Sequence, residues 1–468
     1  EFYRAFGPLL AQRLSAIVCQ PSTPADDMLS TMSFATPIDP TLLNRASGWL
    51  LLAAVILSAA HGLYPNLPAA YAGTAFWAAG MLLAGRVHGQ QRTQTLAMLL
   101  VGAAGLVYAW SAGGQAQLGK ALEANQALLA MLAGVSFLRL ISLPAADAAE
   151  RNPRGPGALW RTLLGVHLFG SVINLSAVMI LGDRQSRRQP MTPLQATVLS
   201  RGFSLAAHWS PFFAAMGVAL SNAPGAGLLT LSSIGLPIAA LGLLASGWQF
   251  SRRPDVAGFV GYPMHFGALW IPALLASLVM LAHEAMPSTP MLTLISLLAL
   301  LLTLVVLLAR ERAGALPLFV DHVHEGLPRM SGELLLFLAA GVLAAGIASA
   351  VLSTGWTLDL LEFGATQASL LLLLMVGLSV AGVHPVISIA TAHGLLAPLA
   401  PDPNLMGITY LMAWAQGVAI SPLSGMHLGM QGRFGIDSRG FLRWNASFTL
   451  FMLTVDIGVL HSYQALTA

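Results

Sequence analysis

"RTLLGVHLFGSVINLSAVMILGDRQSRR", residues 161–188, holds an apolar stretch between two arginine clusters. Read as a single membrane crossing, it would leave one cluster on the wrong side, because Lys and Arg gather in the cytoplasmic loops of membrane proteins. A hairpin that enters from the cytoplasm, turns near Asn174 and returns removes the conflict. About thirteen residues go in and nine come out, roughly half a bilayer each way at 1.5 Å per residue.

The rest of the chain supplies the membrane. Of its 468 residues 56% are hydrophobic and 9% charged, against about 25% charged in a soluble domain. The mean hydropathy is +0.73. Many apolar runs approach the ~20 residues that cross a bilayer as a helix. The expected fold is therefore an all-α polytopic membrane protein. Eleven spans are expected, at about 48–65, 68–85, 93–112, 124–142, 201–222, 226–249, 258–282, 289–309, 332–355, 404–432 and 442–464. Two re-entrant hairpins, at about 161–182 and 366–399, complete the set. The first ~40 residues have too short and interrupted an apolar run to span, and read as a signal peptide or a surface helix. With Cys19 as the single cysteine, no intrachain disulfide can form.

Arginines orient the spans. "RVHGQQR" (86–92), "SRRPD" (251–255), "RERAG" (310–314) and "GRFGIDSRGFLR" (432–443) should be cytoplasmic. "HEAMPSTP", "STGWTLDLLEFGA" and "APLAPDPN" lack Lys and Arg and should lie outside, with Lys120 the exterior exception. This places the N-terminus in the cytoplasm and the C-terminus outside, in a membrane of the bacterial inner type. "GVHPVISIATAHG" (382–394) has no flanking basic residue, so its hairpin should enter from outside.

The two halves superpose as sequence. "LAGVSFLRLIS" (132–142) lies over "AAGVLAAGIAS" (339–349), and "SVINLSAVM" over "AGVHPVISI". "AAHWSPFFAAMG" lies over "GVAISPLSGMHL". Asn174 then matches His384, and Ser210-Pro211 matches Ser421-Pro422, at separations of 36 and 37 residues. Opposed hairpins make the repeat inverted, as in many secondary transporters with a midplane site. The division reads as a peripheral segment 1–47, scaffold helices 48–123, repeat 1 over 124–250, connecting helices 251–329 and repeat 2 over 330–468. Each proline lacks an amide hydrogen and clashes with the preceding turn. Ser210-Pro211 and Ser421-Pro422 should therefore break their helices within the membrane. Half-helix N-termini attract anions, and freed carbonyls with Ser or Asn oxygens suit Na⁺.

From about residue 124 to 464 this pattern resembles the ion transporter superfamily, which includes divalent anion:sodium symporters, arsenite-type permeases and the large membrane subunits of tripartite carboxylate transporters. "ELLLFLAAGVLAAGI" (333–347) looks like the glycine-containing helix that opens each repeat there, and "AWAQGVAISPLSGMHLGMQG" looks like the broken helix. Where the symporters carry Ser-Asn-Thr, the tips here read Asn174-Leu175-Ser176 and His384-Pro385-Val386-Ile387-Ser388. The resemblance implies a homodimeric scaffold against which hairpins and broken helices move.

The candidate substrate and ion ligands are Asn174, Ser176, His208, Ser210, Pro211, His384, Pro385, Ser388, Ser421, Pro422, Ser424 and His427. Each has a plainer reading. The serines can bond carbonyls of their own helices, and the histidines can cap or pack. Asp456, the one acidic residue near the middle of a span, is a coupling candidate or a partner for a neighbouring helix. His167 reads as packed in the entering arm. The expected function is secondary active transport of a small, carboxylate-bearing anion coupled to Na⁺ or H⁺. No cofactor and no catalytic residue are expected, nor any metal beyond Na⁺ near the tips. The partners are the substrate and the lipid bilayer, with no nucleic acid. Two alternatives stand beside it: a cation/proton antiporter of the same superfamily, and an integral-membrane enzyme. For the latter the exterior loops offer mainly Asp359, Glu362 and Asp402.

Overall fold

The structure is a computed structural model that describes residues 40–142, 152–187, 189–264, 267, 270–354 and 363–467. Most of the segment 1–47 and the residues Asp359 and Glu362 lie outside them. Asn44–Ala468 form one compact unit. The described residues are helical throughout, apart from connections and one antiparallel bridge between Arg154 and Val260. Six described stretches are long and apolar enough to cross a membrane: Thr41–Leu63, Gly89–Ser111, Leu118–Ile141, Leu228–Ser251, Met291–Thr354 and Gly440–Thr467. The chain is an all-helical protein of the polytopic membrane class.

Helices α1 (Pro40–Leu63), α2 (Ala70–Leu83) and α3 (Gly89–Ser111) come first. With 14 residues, α2 is about 21 Å long, shorter than a bilayer core of about 30 Å. The span expected at 124–142 is in pieces: α4 (Leu118–Glu123), α5 (Gln126–Ser136) and α6 (Arg139–Ser142). The first break falls at Asn125, whose φ is 61°. Its side-chain amide donates to Phe337 O at 2.8 Å.

Helix α7 (Pro156–Ile173) and α8 (Leu175–Ser186) are separated by Asn174 alone, at φ 53° and ψ −142°. Few L-residues adopt such a backbone, and it persists only where its surroundings hold it. The chain folds back there, because the far end of α8 meets the residues before α7. Arg184 Nε lies 3.3 Å from Asn152 Oδ1, and Asn152 Nδ2 donates to Arg184 O at 3.2 Å. Next comes α9 (Pro193–Leu205), followed by a 3-10 turn Ala206–His208, an irregular stretch and α10 (Ala214–Asn222).

The connecting helices are α11 (Leu228–Ser251), α12 (Trp270–Ala285), α13 (Met291–Glu311) and α14 (Ala315–Asp321). A span was expected from residue 258, but α12 starts at Trp270. The "GFVGYP" stretch instead runs extended against the start of α7. Gly155 N donates to Phe259 O at 3.0 Å, Gly261 N to Pro153 O at 2.9 Å, and Tyr262 N to Thr162 Oγ1 at 2.9 Å. Outside partners took the backbone bonds that a helix would have used.

Helix α15 (Ser331–Thr354) crosses α3 in backbone contact. A Cβ on Gly346 would lie 2.1 Å from Gly102 O, and one on Gly105 would lie 2.4 Å from Gly346 O. Glycines permit such close approach between membrane helices, where packing rather than water exclusion drives association.

The second reversal joins α16 (Ala365–Val380) to α17 (Pro385–Leu396), with Gly382 at φ 99°. Its broken helix is α18 (Pro403–Ile420) followed by α19 (Gly425–Phe434), and α20 (Gly440–Thr467) ends the described chain. Both ends of the second hairpin reach the last turns of α20. Ala365 N donates to Gln464 Oε1, and Tyr463 Oη donates to Asp402 Oδ1 at 3.1 Å. The open end of the first hairpin is tied instead to the end of α19, where Arg433 forks onto Asp183 at 2.5 and 2.7 Å. The loop from there leads directly into the start of α20. With 28 residues, α20 is about 42 Å long, so the two hairpins open at opposite ends of it.

Replacing Gly346 with leucine should destabilise the protein by about 1–3 kcal/mol, read as a lower thermal midpoint in detergent. Gly458→Ala, at a position with open space around it, should cause no loss. Equal midpoints for Gly346→Leu and the native chain would show that the α3–α15 crossing is not closely packed.

Candidate functional site

Both helix breaks form where proline removes a hydrogen bond, and each leaves polar backbone groups that need partners. At the first break, Ser210 Oγ donates to Ser171 O in the first hairpin and accepts from Phe212 N at 3.2 Å. Asn174 reaches across from the hairpin tip. Its Nδ2 donates to Phe212 O at 3.2 Å, and its Oδ1 accepts from Ala214 N at 3.4 Å. The tip side chain thus closes the gap left by Pro211. On the other side lies α11, where Ser232 Oγ donates to Trp209 O at 2.8 Å. Gly235 gives the room, since a Cβ there would lie 1.8 Å from His208 O. Ser176 sits half-buried in the first turn of α8.

The second break is satisfied differently. Ser421 Oγ accepts from Leu423 N at 3.3 Å, and Ser424 Oγ caps α19 by accepting from His427 N at 3.3 Å. His427 Nδ1 donates to Ser421 O at 2.7 Å, because a carbonyl can only accept. Its Nε2 therefore accepts from Ser200 Oγ at 2.8 Å. The ring stacks on Phe441 with centroids 3.6 Å apart. Both ring nitrogens of His427 are thus engaged in sealing the break. Asn445 Nδ2 donates to a further freed carbonyl, Ala419 O, at 2.6 Å.

At the second tip, His384 Nδ1 accepts from Val386 N at 3.2 Å, which caps α17, with Pro385 in its first turn. The imidazole stands edge-on to Trp414 at 5.3 Å. Ser388 Oγ donates to Pro385 O in its own helix at 2.9 Å. Gly417 of α18 lets this tip approach, since a Cβ there would lie 2.6 Å from Ser379 Oγ. Gly382 O at the same tip accepts from Gln90 Nε2 at 2.8 Å and Gln94 Nε2 at 2.6 Å, both on α3.

Two buried clusters join the halves. In one, Asp456 of α20 is 0% exposed. Its Oδ2 accepts from Gln416 Nε2 at 2.9 Å, and its Oδ1 lies 3.7 Å from His208 Nε2. His167 is near by: Trp209 Nε1 donates to its Nε2 at 3.1 Å, and its Nδ1 donates to Gly202 O at 3.0 Å. The residue read as packing therefore sits one tryptophan from the first break.

The other cluster surrounds Arg201, which is 1% exposed. Nε donates to Asn445 Oδ1 at 2.8 Å, Nη1 to Gln249 Oε1 at 2.6 Å and Nη2 to Trp444 O at 2.8 Å. The guanidinium lies over the rings of Phe250 and Phe448 at 4.6 and 4.3 Å. Among the described residues no carboxylate pairs with it. Sequence reasoning missed this cation by starting the span at residue 201. The helix starts at Pro193, behind a capping box in which Thr192 and Gln195 bond each other's backbone amides. "TPLQ" before an apolar run is the readable signature of that start.

Two clefts lie away from the breaks. One of about 690 Å³ opens beside the first hairpin's mouth and is lined by Arg154, Arg187, Gln195 and Asp255. The Arg253 guanidinium hydrogen-bonded to Asp255 holds that carboxyl below its ordinary range. The other, of about 480 Å³, is lined by Lys120, Asn125, Asn222 and His393. Among the described residues no group of three or more His, Cys, Asp or Glu could hold a metal ion.

No family model matches the chain. No curated protein matches it either. Among solved structures it is similar to the Alcanivorax borkumensis YdaH transporter, whose crystal structure is described as having an unusual topology. That likeness has 15% identity, 79% coverage of this chain, 85% of the other and a TM-score of 0.40.

Asn445→Leu should cost about 1–3 kcal/mol, because it strands Arg201 Nε and Ala419 O in a buried setting. The readout is the thermal midpoint of the purified protein. An unchanged midpoint would mean that this cluster does not hold α9, α18 and α20 together.

Proposed function

We propose that the chain is a secondary active transporter that moves a small organic anion, coupled to Na⁺ or H⁺, by elevator-like alternating access. The observation that carries this reading is the pairing of two helical hairpins with two helices broken at Ser-Pro. The hairpins open at opposite ends of α20, and Asn174 of the first is bonded into its own break. In this reading the hairpins are re-entrant and the two halves are inverted repeats. They lie in a membrane of the bacterial inner type, with the C-terminus outside. The site lies between the tips and breaks, around Asn174, Ser210, His384, Ser421 and Ser424. The N-termini of α10 and α19 carry partial positive charge, and Arg201 adds a cation whose described partners are neutral acceptors and ring faces. Both favour a carboxylate over an amine.

In the elevator, α1–α3 and α15 form the static, dimeric scaffold, and the hairpins with their broken helices move. The bonds from Gln90 and Gln94 to Gly382 O belong to one end state. A cation/proton antiporter is the second reading, and the buried Asp456–His208 contact is what favours it.

In proteoliposomes, the protein should take up labelled mono- or dicarboxylates in preference to cationic amines. Asn174→Ala and His384→Ala should each lower that uptake at least about tenfold, the effect of about 1.4 kcal/mol. Preference for amines would overturn the substrate class. Separately, cysteines at Gln94 and Ala381 in a Cys19→Ser background should stop turnover once joined by a short bifunctional reagent. Unimpaired turnover in fully cross-linked protein would exclude the elevator movement.

A further inference from the structure

Within the reading of the chain as a coupled carrier, we infer that the coupling ion is a proton, held between Asp456 and His208. The argument starts from burial. Asp456 is 0% exposed, at the middle of a membrane helix. Its described partners are the Gln416 amide on Oδ2 at 2.9 Å and the imidazole of His208, 3.7 Å from Oδ1. Oδ1 makes no hydrogen bond in the described structure. An ionised carboxylate held by one neutral amide in a dry interior is costly unless it gains a proton or a charged partner.

His208 is built to share that proton. Its Nδ1 faces Leu205 O at 3.2 Å, and a carbonyl can only accept, so Nδ1 carries a hydrogen. Nε2 is then the nitrogen whose state can vary: unprotonated it accepts from Gln416 Nε2 at 3.4 Å, and it lies 3.7 Å from Oδ1. One proton can reside on either member of the pair, and bridges them once the 3.7 Å gap closes to hydrogen-bond distance. On Oδ1 it leaves both groups neutral. On Nε2 it makes an imidazolium beside a carboxylate.

Among the described residues no other ionisable group competes for the position. On the elements packed against α20, the titratable residues towards this level are Arg201 on α9 and Tyr410 on α18. Helices α11 and α16 have none. On α20 itself the nearest are His461, Tyr463 and Arg443. Arg201 is committed to Asn445, Gln249 and Trp444 O, and His167 lies beyond Trp209.

The pair is also placed to sense both hairpins. Gln416 precedes Gly417, the residue against which the second tip packs. His208 precedes Trp209, whose indole is bonded to His167 in the first hairpin. Movement of either tip therefore acts on a neighbour of one of the two residues that fix Asp456.

The test is infrared difference spectroscopy of the full chain in lipid nanodiscs across about pH 4 to 9, which spans the ordinary ranges of carboxyl and imidazole groups. A protonated-carboxyl stretching band that shifts in D₂O should appear and titrate. It should be lost in Asp456→Asn. In His208→Gln it should persist with its midpoint displaced by about one pH unit or more. Asp456→Glu, which keeps the carboxyl, should retain a titrating band and guards against misfolding of the Asn variant. Absence of any band dependent on Asp456 would overturn the proposal. So would its removal by NaCl at constant pH, which would make this a sodium site. No transported molecule is needed, so the proton site stands or falls separately from anion transport. A titrating band in a protein that moves no carboxylate would retain the site and refute the carrier reading.

Discussion

Backbone carbonyls freed inside a low-dielectric interior must find donors, and the centre of this protein is organised around that requirement. Pro211 and Pro422 each interrupt a helix, and six side chains answer the backbone exposed there and at the second tip. Ser232 serves Trp209 O and Asn174 serves Phe212 O in the first half. His427 serves Ser421 O, Asn445 serves Ala419 O, and two glutamines of α3 serve Gly382 O in the second. Remove these donors and the breaks become defects. With them, short non-helical segments persist between the half-helices and the tips have something to dock on.

Much of this was readable because it is local. Proline after serine marks a break wherever it falls in an apolar run. The two arginine clusters around residues 161–188 force a reversal on charge alone, and Asn174 is where it happens. The near-equal spacing of tip and break in the two halves is likewise a property of one-dimensional sequence. What escaped is long-range. Arg201 finds its acceptors at Gln249, Trp444 and Asn445, and Gln416 finds its carboxylate forty residues on. No periodicity encodes such partners, so a buried cation looked like the edge of a helix. The extended stretch at 259–264 escaped for the same reason, because its backbone bonds go to Pro153, Gly155 and Thr162, a hundred residues earlier in the last case.

The same comparison changes the standing of the histidines. In the sequence His208, His384 and His427 stand as candidate ligands and His167 as packing. Hydrogen-bond accounting separates them. His427 and His167 have both nitrogens committed, and each is fixed in one tautomer by a carbonyl. His384 uses one nitrogen to cap its own helix. Of these four, His208 alone turns a ring nitrogen toward a buried carboxylate.

The two tips are consequently not equivalent, although their sequences align. Asn174 bonds into its own broken helix through both amide atoms, so the first tip and first break form one rigid piece. The second tip keeps His384 at home and hands its turn carbonyl to Gln90 and Gln94 of the neighbouring α3. Two amide donors on a single carbonyl make a contact that can be broken and remade as a unit, because both donors sit one helical turn apart on the same face. One tip is thus bonded into its own break and the other is held by the neighbouring α3. If any tip lets go first, the bonding pattern selects the second.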